Sequence, residues 1–342
     1  MEYFIGLDAH SKTCTFVTLD KEGERISHNR VSTCESLILK YVRSHNNGVV
    51  NLVYEESNMS QWFYLLLKNE VDNLVCCDPG YIGKKRGAKN DYADALHLAN
   101  ELRCRHVVPV YHEDSEIWSM RVLVQGYLDF TSQLVQTKNR YKALLRSNNL
   151  KSQGPTVYKD ESEIEKLPTA ADRYVANGLF GQIHTLSEIK KSYLPEFESY
   201  AKKHKVIKTL CSVPGISVIR ATIITSLVCS AHRFANKHKF WAYCMLVKRI
   251  EESDDRVVGK KAVQGRRELK TIFDGAALVA LAGSSSLRKY YDSKRSKGTS
   301  HNDARKDVAR RIASICLSIL KKGKKFDDKY EVKRKRRSNK TA

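Results

Sequence analysis

The order of short apolar runs and helical stretches in the first hundred residues constrains this chain most. Tyr3–Leu7 (YFIGL), Cys14–Leu19 (CTFVTL) and Arg25–Ser32 read as three strands, spaced for a meander of antiparallel strands joined by short turns. Cys34–Ser44 follows as a helix, with Leu37, Ile38, Leu39, Tyr41 and Val42 supplying an apolar face. Val49–Tyr54 (VVNLVY) is a buried-type strand, Gln61–Leu67 a helix, and Leu74–Cys77 a strand that stops at Asp78-Pro79-Gly80. Asn90–Arg103 (NDYADALHLANELR) closes the series as a helix with Asn90 as its N-cap.

The sequence β-β-β-α-β-α-β-α is the layout of a ribonuclease-H-like fold, although other α/β folds share the alternation. The remainder reads as helix. Residues 117–146 form one long helical pattern, residues 151–168 a polar break, and residues 170–204 a second long helix. The two helices suit either an antiparallel coiled coil or a packed two-helix subdomain. Within Leu210–Val228, Pro214-Gly215-Ile216 forms a turn before a helix. Such a turn serves either as an ordinary loop or, in a helix-hairpin-helix, as a donor of backbone N–H groups to a DNA phosphate. Arg249–Lys270 is basic, the cluster Ser284–Ser286 reads as a turn after Gly283, and Ala304–Leu320 is an amphipathic helix. The expected class is therefore α/β plus α. Its segments are an α/β domain (1–115), a helical middle (116–205), a mainly helical C-terminal domain (206–322) and a basic tail (323–342).

Charge divides the chain along the same line. Residues 1–115 hold 13 Lys/Arg and 16 Asp/Glu, whereas the other 227 hold 47 and 22, within an overall net charge of +22. The first region is suited to gathering cations around carboxylates and the second to neutralising phosphates, which points to nucleic acid. The last 22 residues alone carry 11 Lys/Arg against 3 acids. No apolar run approaches the ~18 residues of a membrane span, and the start lacks the pattern of a secretory signal. Nine cysteines, with no CxxC pair and no Cys/His ladder of zinc spacing, read as reduced thiols of a cytoplasmic protein.

Four carboxylates fall where this layout would gather them. Asp8 closes the first strand, Glu55 closes VVNLVY with Glu56 as the alternative, and Asp91 and Asp94 lie three apart in the first turn of the last helix. Taken singly, each reads as a surface charge or a helix cap. Together they would repel one another, and a divalent ion would relieve that repulsion. Mg²⁺ or Mn²⁺ in such a site activates an attacking oxygen and stabilises a leaving one, the chemistry of phosphodiester cleavage and strand transfer. His10 beside Asp8 reads first as a satisfied structural histidine, with assistance to the metal or contact with DNA as the alternative.

These residues carry a resemblance. GLDAHSKT, YEESN followed by Trp62, and KNDYADA resemble the three acidic motifs of the DEDD transposases of bacterial and archaeal insertion sequences, whose relatives include Piv-type DNA invertases. LCSVPGISVIRATII, LVKRIEESDDRVVGKK, GRRELKTIFDGAAL and KDVARRIASICLSIL resemble the C-terminal transposase domain of the same family. The resemblance spans roughly residues 3–320. It implies a RuvC-like N-terminal domain with Asp8, Glu55, Asp91 and Asp94 as catalytic metal ligands. It also implies that Ser253 is a nucleophile forming a transient phosphoserine link to DNA. The cations around that serine, Lys248, Arg249, Arg256, Lys260 and Lys261, with Arg266, Arg267 and Lys270 beyond, are the expected nucleic-acid contacts. A structured guide RNA from the element and a homo-oligomer, dimer or tetramer, are implied partners.

Other readings weigh less. A Holliday-junction resolvase would use the acids alone. A sugar-kinase relative needs a Gly-rich loop after the first Asp, where Ala9-His10-Ser11 stands. A tyrosine recombinase needs an Arg…HxxR…Tyr set that is missing. A non-catalytic DNA-binding protein has no use for four intact acids.

Overall fold

The computed structural model describes residues 1–80, 90–253 and 256–329. The chain divides into two compact units, Met1–Ser115 and Glu116–Ala342.

The first unit is built on five strands: β1 (Glu2–Ala9), β2 (Thr13–Leu19), β3 (Arg25–Ser32), β4 (Val49–Glu55) and β5 (Asn73–Cys77). They lie in the order β3-β2-β1-β4-β5, with β1 antiparallel to β2 and parallel to β4. This mixed sheet is consistent with the layout expected from the sequence. β1, β2 and β4 are covered on both faces, so their residues are near-continuously apolar, whereas edge strand β3 (RISHNRVS) is largely exposed. Helices α1 (Glu35–Arg43) and α2 (Ser60–Leu67) cover one face, over a core that includes Ile5, Leu7, Phe16, Leu52, Tyr54 and Phe63. Helix α3 (Asp91–Arg103) covers the other, through Ala95, Ala99, Leu98 and Leu102 against Val17, Leu19, Val53 and Cys77.

One glycine decides how closely α3 sits. A Cβ on Gly6 would lie 1.9 Å from the Ala95 carbonyl oxygen and 2.6 Å from the Ala99 nitrogen. The bare glycine in β1 and two alanines one turn apart in α3 let helix and strand backbones touch. Asn90 starts the helix there, accepting a 2.8 Å hydrogen bond from the Ala93 N–H.

The second unit is mostly helical. Helices α4 (Glu116–Ser147) and α6 (Ala170–Lys203) pack antiparallel: Tyr127 meets Phe197, Thr137 bonds Gln182, and Tyr141 meets Phe180, early residues of one against late residues of the other. Between them the polar stretch holds a 3₁₀ turn (Thr156–Tyr158) and short helix α5 (Ser162–Glu165); Val157 of the turn, Ile164 of α5 and Leu167 after it seal the end of the pair. A larger core joins α7 (Lys205–Leu210), α8 (Val218–Val228), α9 (Lys237–Tyr243), α10 (Arg267–Ala280), α11 (Ser286–Arg295) and α12 (His301–Lys322). From Ala221 to Val228 every residue of α8 is buried, so this helix is central rather than one-faced.

The Pro-Gly-Ile turn packs into that core. Gly215 has φ +86°, and a Cβ there would lie 2.2 Å from the Ala276 carbonyl of α10. Arg220 Nη1 donates to the Gly215 carbonyl at 2.6 Å, and Ser217 caps α8. The basic stretch after Arg249 contains a feature the sequence reading lacked, a β-hairpin of β6 (Lys248–Ser253) and β7 (Arg256–Ala262). Ser284 to Ser286, read as a turn, leads directly into α11, with Ser285 at its N-cap position. Of the basic tail, residues 330–342 lie outside the described residues. Among the described residues no helix is long and apolar enough to cross a membrane.

Candidate active site

Asp8 and Asp91 meet because a strand end and a helix start do, and Glu55 ends the neighbouring strand. Leu7 of β1 pairs with Tyr54 of parallel β4, so Asp8 and Glu55 are the next residues along adjacent strands. Gly6 touches α3, and pleat alternation turns Asp8 to the same side. Glu55 pairs with Cys77, which packs with Val53, Leu98 and Leu102 beneath α3, so Glu55 shares that side too. Burial, and then the charge of Glu55, push the Cys77 thiol up.

Asp91 opens α3 and Asp94 follows one turn later. Asp8, only 16% exposed, and Asp91, 37% exposed, are bridged by His10, whose Nε2 lies 3.1 Å from Asp8 Oδ2 and 3.9 Å from Asp91 Oδ1. Donor atoms of these three residues all lie within 4.8 Å of one another. The His10 side chain is 57% exposed and its polar partners are the two aspartates of this cluster. Arg30, on edge strand β3, places Nη2 3.2 Å from Asp91 Oδ2, a partner with no motif to announce it.

The Asp8 carboxyl sits above the ordinary aspartate range. Burial is the main cause; His10 opposes it, and the charges of Asp91 and Asp94 add to it. The group is thus short of positive charge. Half-buried carboxylate oxygens gathered at one strand end, with Asp8's proton affinity raised, match the preference of a hard divalent cation. Glu56, the alternative to Glu55, points away: its Oε2 accepts from Cys76 Sγ at 3.0 Å and lies 2.8 Å from His112 Nε2, on the α1/α2 face.

In the second unit, Ser253 is the last residue of β6 and pairs with Arg256. The side chains of Ser253, Arg256 and Lys260 lie outside the described residues. Arg249 pairs with Lys261 on the hairpin. Lys248 and Lys270 line a cleft of about 490 Å³ together with Lys306, Arg310, Asp274 and Asp303. Arg266 and Arg267 are exposed at the start of α10, after Gly265, whose close approach to the Tyr243 carbonyl (2.4 Å from a would-be Cβ) fixes the turn. Lys306 and Arg310 of this cleft were missed from sequence, since they read as the polar face of an amphipathic helix.

A strand-end acidic cluster on a mixed sheet, followed by a basic helical region, is consistent with a DEDD transposase, and comparison with known proteins shows that class. The DEDD transposase family model of IS110 matches residues 5–149, and the model described as "Transposase IS116/IS110/IS902 family" matches residues 207–292. The chain belongs to this IS110 family of transposases. It is similar to the "Insertion element IS110 uncharacterized 43.6 kDa protein" of Streptomyces coelicolor, with 22% identity over 171 residues. That match covers 50% of this chain, and the chain spans about two fifths (42%) of the relative's length.

Proposed function

We propose that this chain cuts and rejoins DNA at the ends of an insertion sequence, with Asp8, Glu55, Asp91 and Asp94 as its metal-binding acids and Ser253 as its nucleophile. The observation that carries this is the meeting of Asp8, His10 and Asp91 around one point at the sheet edge. The metal is Mg²⁺ or Mn²⁺. Held by these acids, such an ion would supply polarisation of the scissile phosphate and stabilisation of the departing 3′ oxygen.

The chain's own groups do the rest. Asp8 and Asp91 are held by β1 and by the capped start of α3, so the ligand oxygens are positioned before any ion arrives. Arg30 and His10 offset charge on Asp91 and Asp8. The Ser253 oxygen bonds to phosphorus as the bond from phosphorus to the 3′ oxygen breaks. The serine proton is lost and the 3′ oxygen gains one. A different 3′ hydroxyl then displaces serine, which rejoins DNA without hydrolysis. Exposed Lys248, Arg249, Lys261, Arg266, Arg267 and Lys270, with Arg256 and Lys260, hold the DNA backbone. The positive surplus also suits a structured guide RNA, and the working form is a homo-oligomer.

A supercoiled plasmid carrying the element's ends tests this with Mg²⁺. Rejoined recombinants are expected from the full chain, together with a discrete RNA that co-purifies and is lost on nuclease treatment. Ser253→Ala should leave none. Recombination undiminished in Ser253→Ala overturns the covalent step, and nicking without recombinants supports a nuclease that uses the acids alone. Recombination confined to inverted sites identifies an invertase.

A further inference from the structure

The opposite face of the same strand end carries a second cluster with different chemistry. Glu56 Oε2 lies 3.0 Å from Cys76 Sγ and 2.8 Å from His112 Nε2, and the three donor atoms lie within 4.8 Å of one another. The donors come from three stretches of chain: the exit of β4, strand β5, and the segment that bridges back to β5 at Pro109. Backbone bonds fix all three. The Glu56 N–H donates to the Cys77 carbonyl at 2.9 Å, the Val110 N–H to Cys76 at 2.7 Å, and the Asp78 N–H to Val108 at 3.1 Å. Cys76 is 4% exposed and the His112 side chain 3%.

The orientation of His112 follows from its neighbours. Gln61 Nε2 donates to the Glu113 carbonyl at 3.0 Å, so Gln61 Oε1 is the atom that faces His112 Nδ1 at 2.9 Å. That oxygen can only accept, so Nδ1 carries a hydrogen and Nε2 is turned toward Cys76 and Glu56. Tyr64 stacks on the ring at 5.7 Å. A histidine that donates its outer N–H to a fixed acceptor and directs the other nitrogen inward has the supporting contact typical of a metal ligand.

We propose that Glu56, Cys76 and His112 bind one Zn²⁺ ion, with water in the fourth position, as a clamp joining β4, β5 and the chain after β5. One sulfur, one imidazole nitrogen and one carboxylate oxygen form a borderline-soft set that suits zinc and not magnesium, the reverse of the carboxylates on the α3 face. Zinc–ligand distances of roughly 2.0–2.3 Å put tetrahedral donors about 3.3–3.7 Å apart, so the observed pairs open by about half an ångström on binding. The Cys76 thiol loses its proton to solvent as the Zn–S bond forms, and binding releases acid. This site stands apart from the transposition chemistry and survives if that reading fails.

The test uses the full chain stripped with a chelator and titrated with Zn²⁺ alone or Co²⁺ alone. One equivalent should bind. Co²⁺ should give near-ultraviolet thiolate-to-cobalt absorption, and Zn²⁺ should raise Tm by roughly 5 °C or more, a rise Mg²⁺ does not reproduce. Cys76→Ser should abolish the absorption, His112→Gln should weaken zinc binding at least 10-fold, and Asp8→Asn should change neither. Should Cys76→Ser fail to fold, His112→Gln and the wild-type cobalt spectrum decide. No thiolate absorption in the wild type, or the same absorption in Cys76→Ser, overturns the site.

Discussion

Met1–Ser115 and Glu116–Ala342 place their charges by different means. The first unit puts its acids where a sheet ends and a capped helix begins, on backbone held by strand pairing on both sides of β1. The second puts its cations on a hairpin and on helix starts, over a core to which α4 and α6 to α12 contribute. Rigid strand ends suit ligands that must meet within fractions of an ångström, whereas phosphate contacts act through charge and tolerate looser placement. The difference implies that damage to the first unit should be felt in chemistry, and damage to the cationic surface in affinity.

The sharpest way to break this division is Asp8→Asn. Cleavage should fall at least about 1,000-fold, the scale on which removing a central catalytic electrostatic group acts. DNA affinity should be unchanged. Stability should hold or rise, and the sign follows from Asp8's own environment. Burial and neighbouring carboxylates raise its proton affinity in the folded chain, so the ionised form at neutral pH opposes folding, and neutral Asn removes that cost. Asp91→Asn should show the same loss of cleavage. A variant that cleaves within 10-fold of wild type, measured by single-turnover nicking, would dismiss these acids.

Next in size are two close-approach glycines, Gly6 in the first unit and Gly215 in the second. Gly6→Ala forces a Cβ into the Ala95 carbonyl and should destabilise by about 3 kcal/mol or more. Because α3 must lift, Asp91 and Asp94 leave Asp8, and cleavage should vanish while DNA binding at low temperature persists. Gly215→Ala combines a positive φ with a 2.2 Å approach to Ala276 and should cost a similar amount, but with DNA affinity falling too. Thermal melts paired with gel shifts of both variants distinguish the outcomes. Equal loss of DNA affinity in the two would erase the contrast between the units.

How far the sequence announced these features depends on their range. Asp8, Asp91 and Asp94 were legible because each sits at an element end marked by local signals, an apolar run or an Asn cap. Glu55 was preferred only for its place at the strand end and Glu56 stayed open, since the choice rests on which face Cys77 and Cys76 present across a strand pair, a relation between distant segments. Arg30 gave no motif, and His10, although inside GLDAHSKT, carried no signal of its contact with Asp91. The β6–β7 hairpin escaped because KRIEES and RVVGKKA lack the clean apolar alternation of a half-buried strand. Glu56, Cys76 and His112 are 20 and 36 residues apart in sequence, far from any zinc-ladder spacing, and only strand register unites them.

The smallest effect tests the cationic side. Arg266 and Arg267 stand at the N-terminus of α10, where positive charge opposes the helix dipole by about 0.3–1 kcal/mol. Exposed arginines kept in an electrostatically unfavourable place make sense when an anion completes them, since free N–H groups at that end also attract phosphate. Replacing Arg266, Arg267 and Lys270 by Gln should therefore leave Tm unchanged or slightly higher. It should weaken DNA binding about 10-fold near 0.1 M salt and flatten the slope of log K against log salt by about 2.7, if each cation meets one phosphate. Asp8→Asn should leave that slope untouched. A triple variant with an unaltered slope would move the DNA contact elsewhere on the second unit. One that lost cleavage in single turnover at saturating DNA would show that the cations act on the reacting phosphate and not only on affinity.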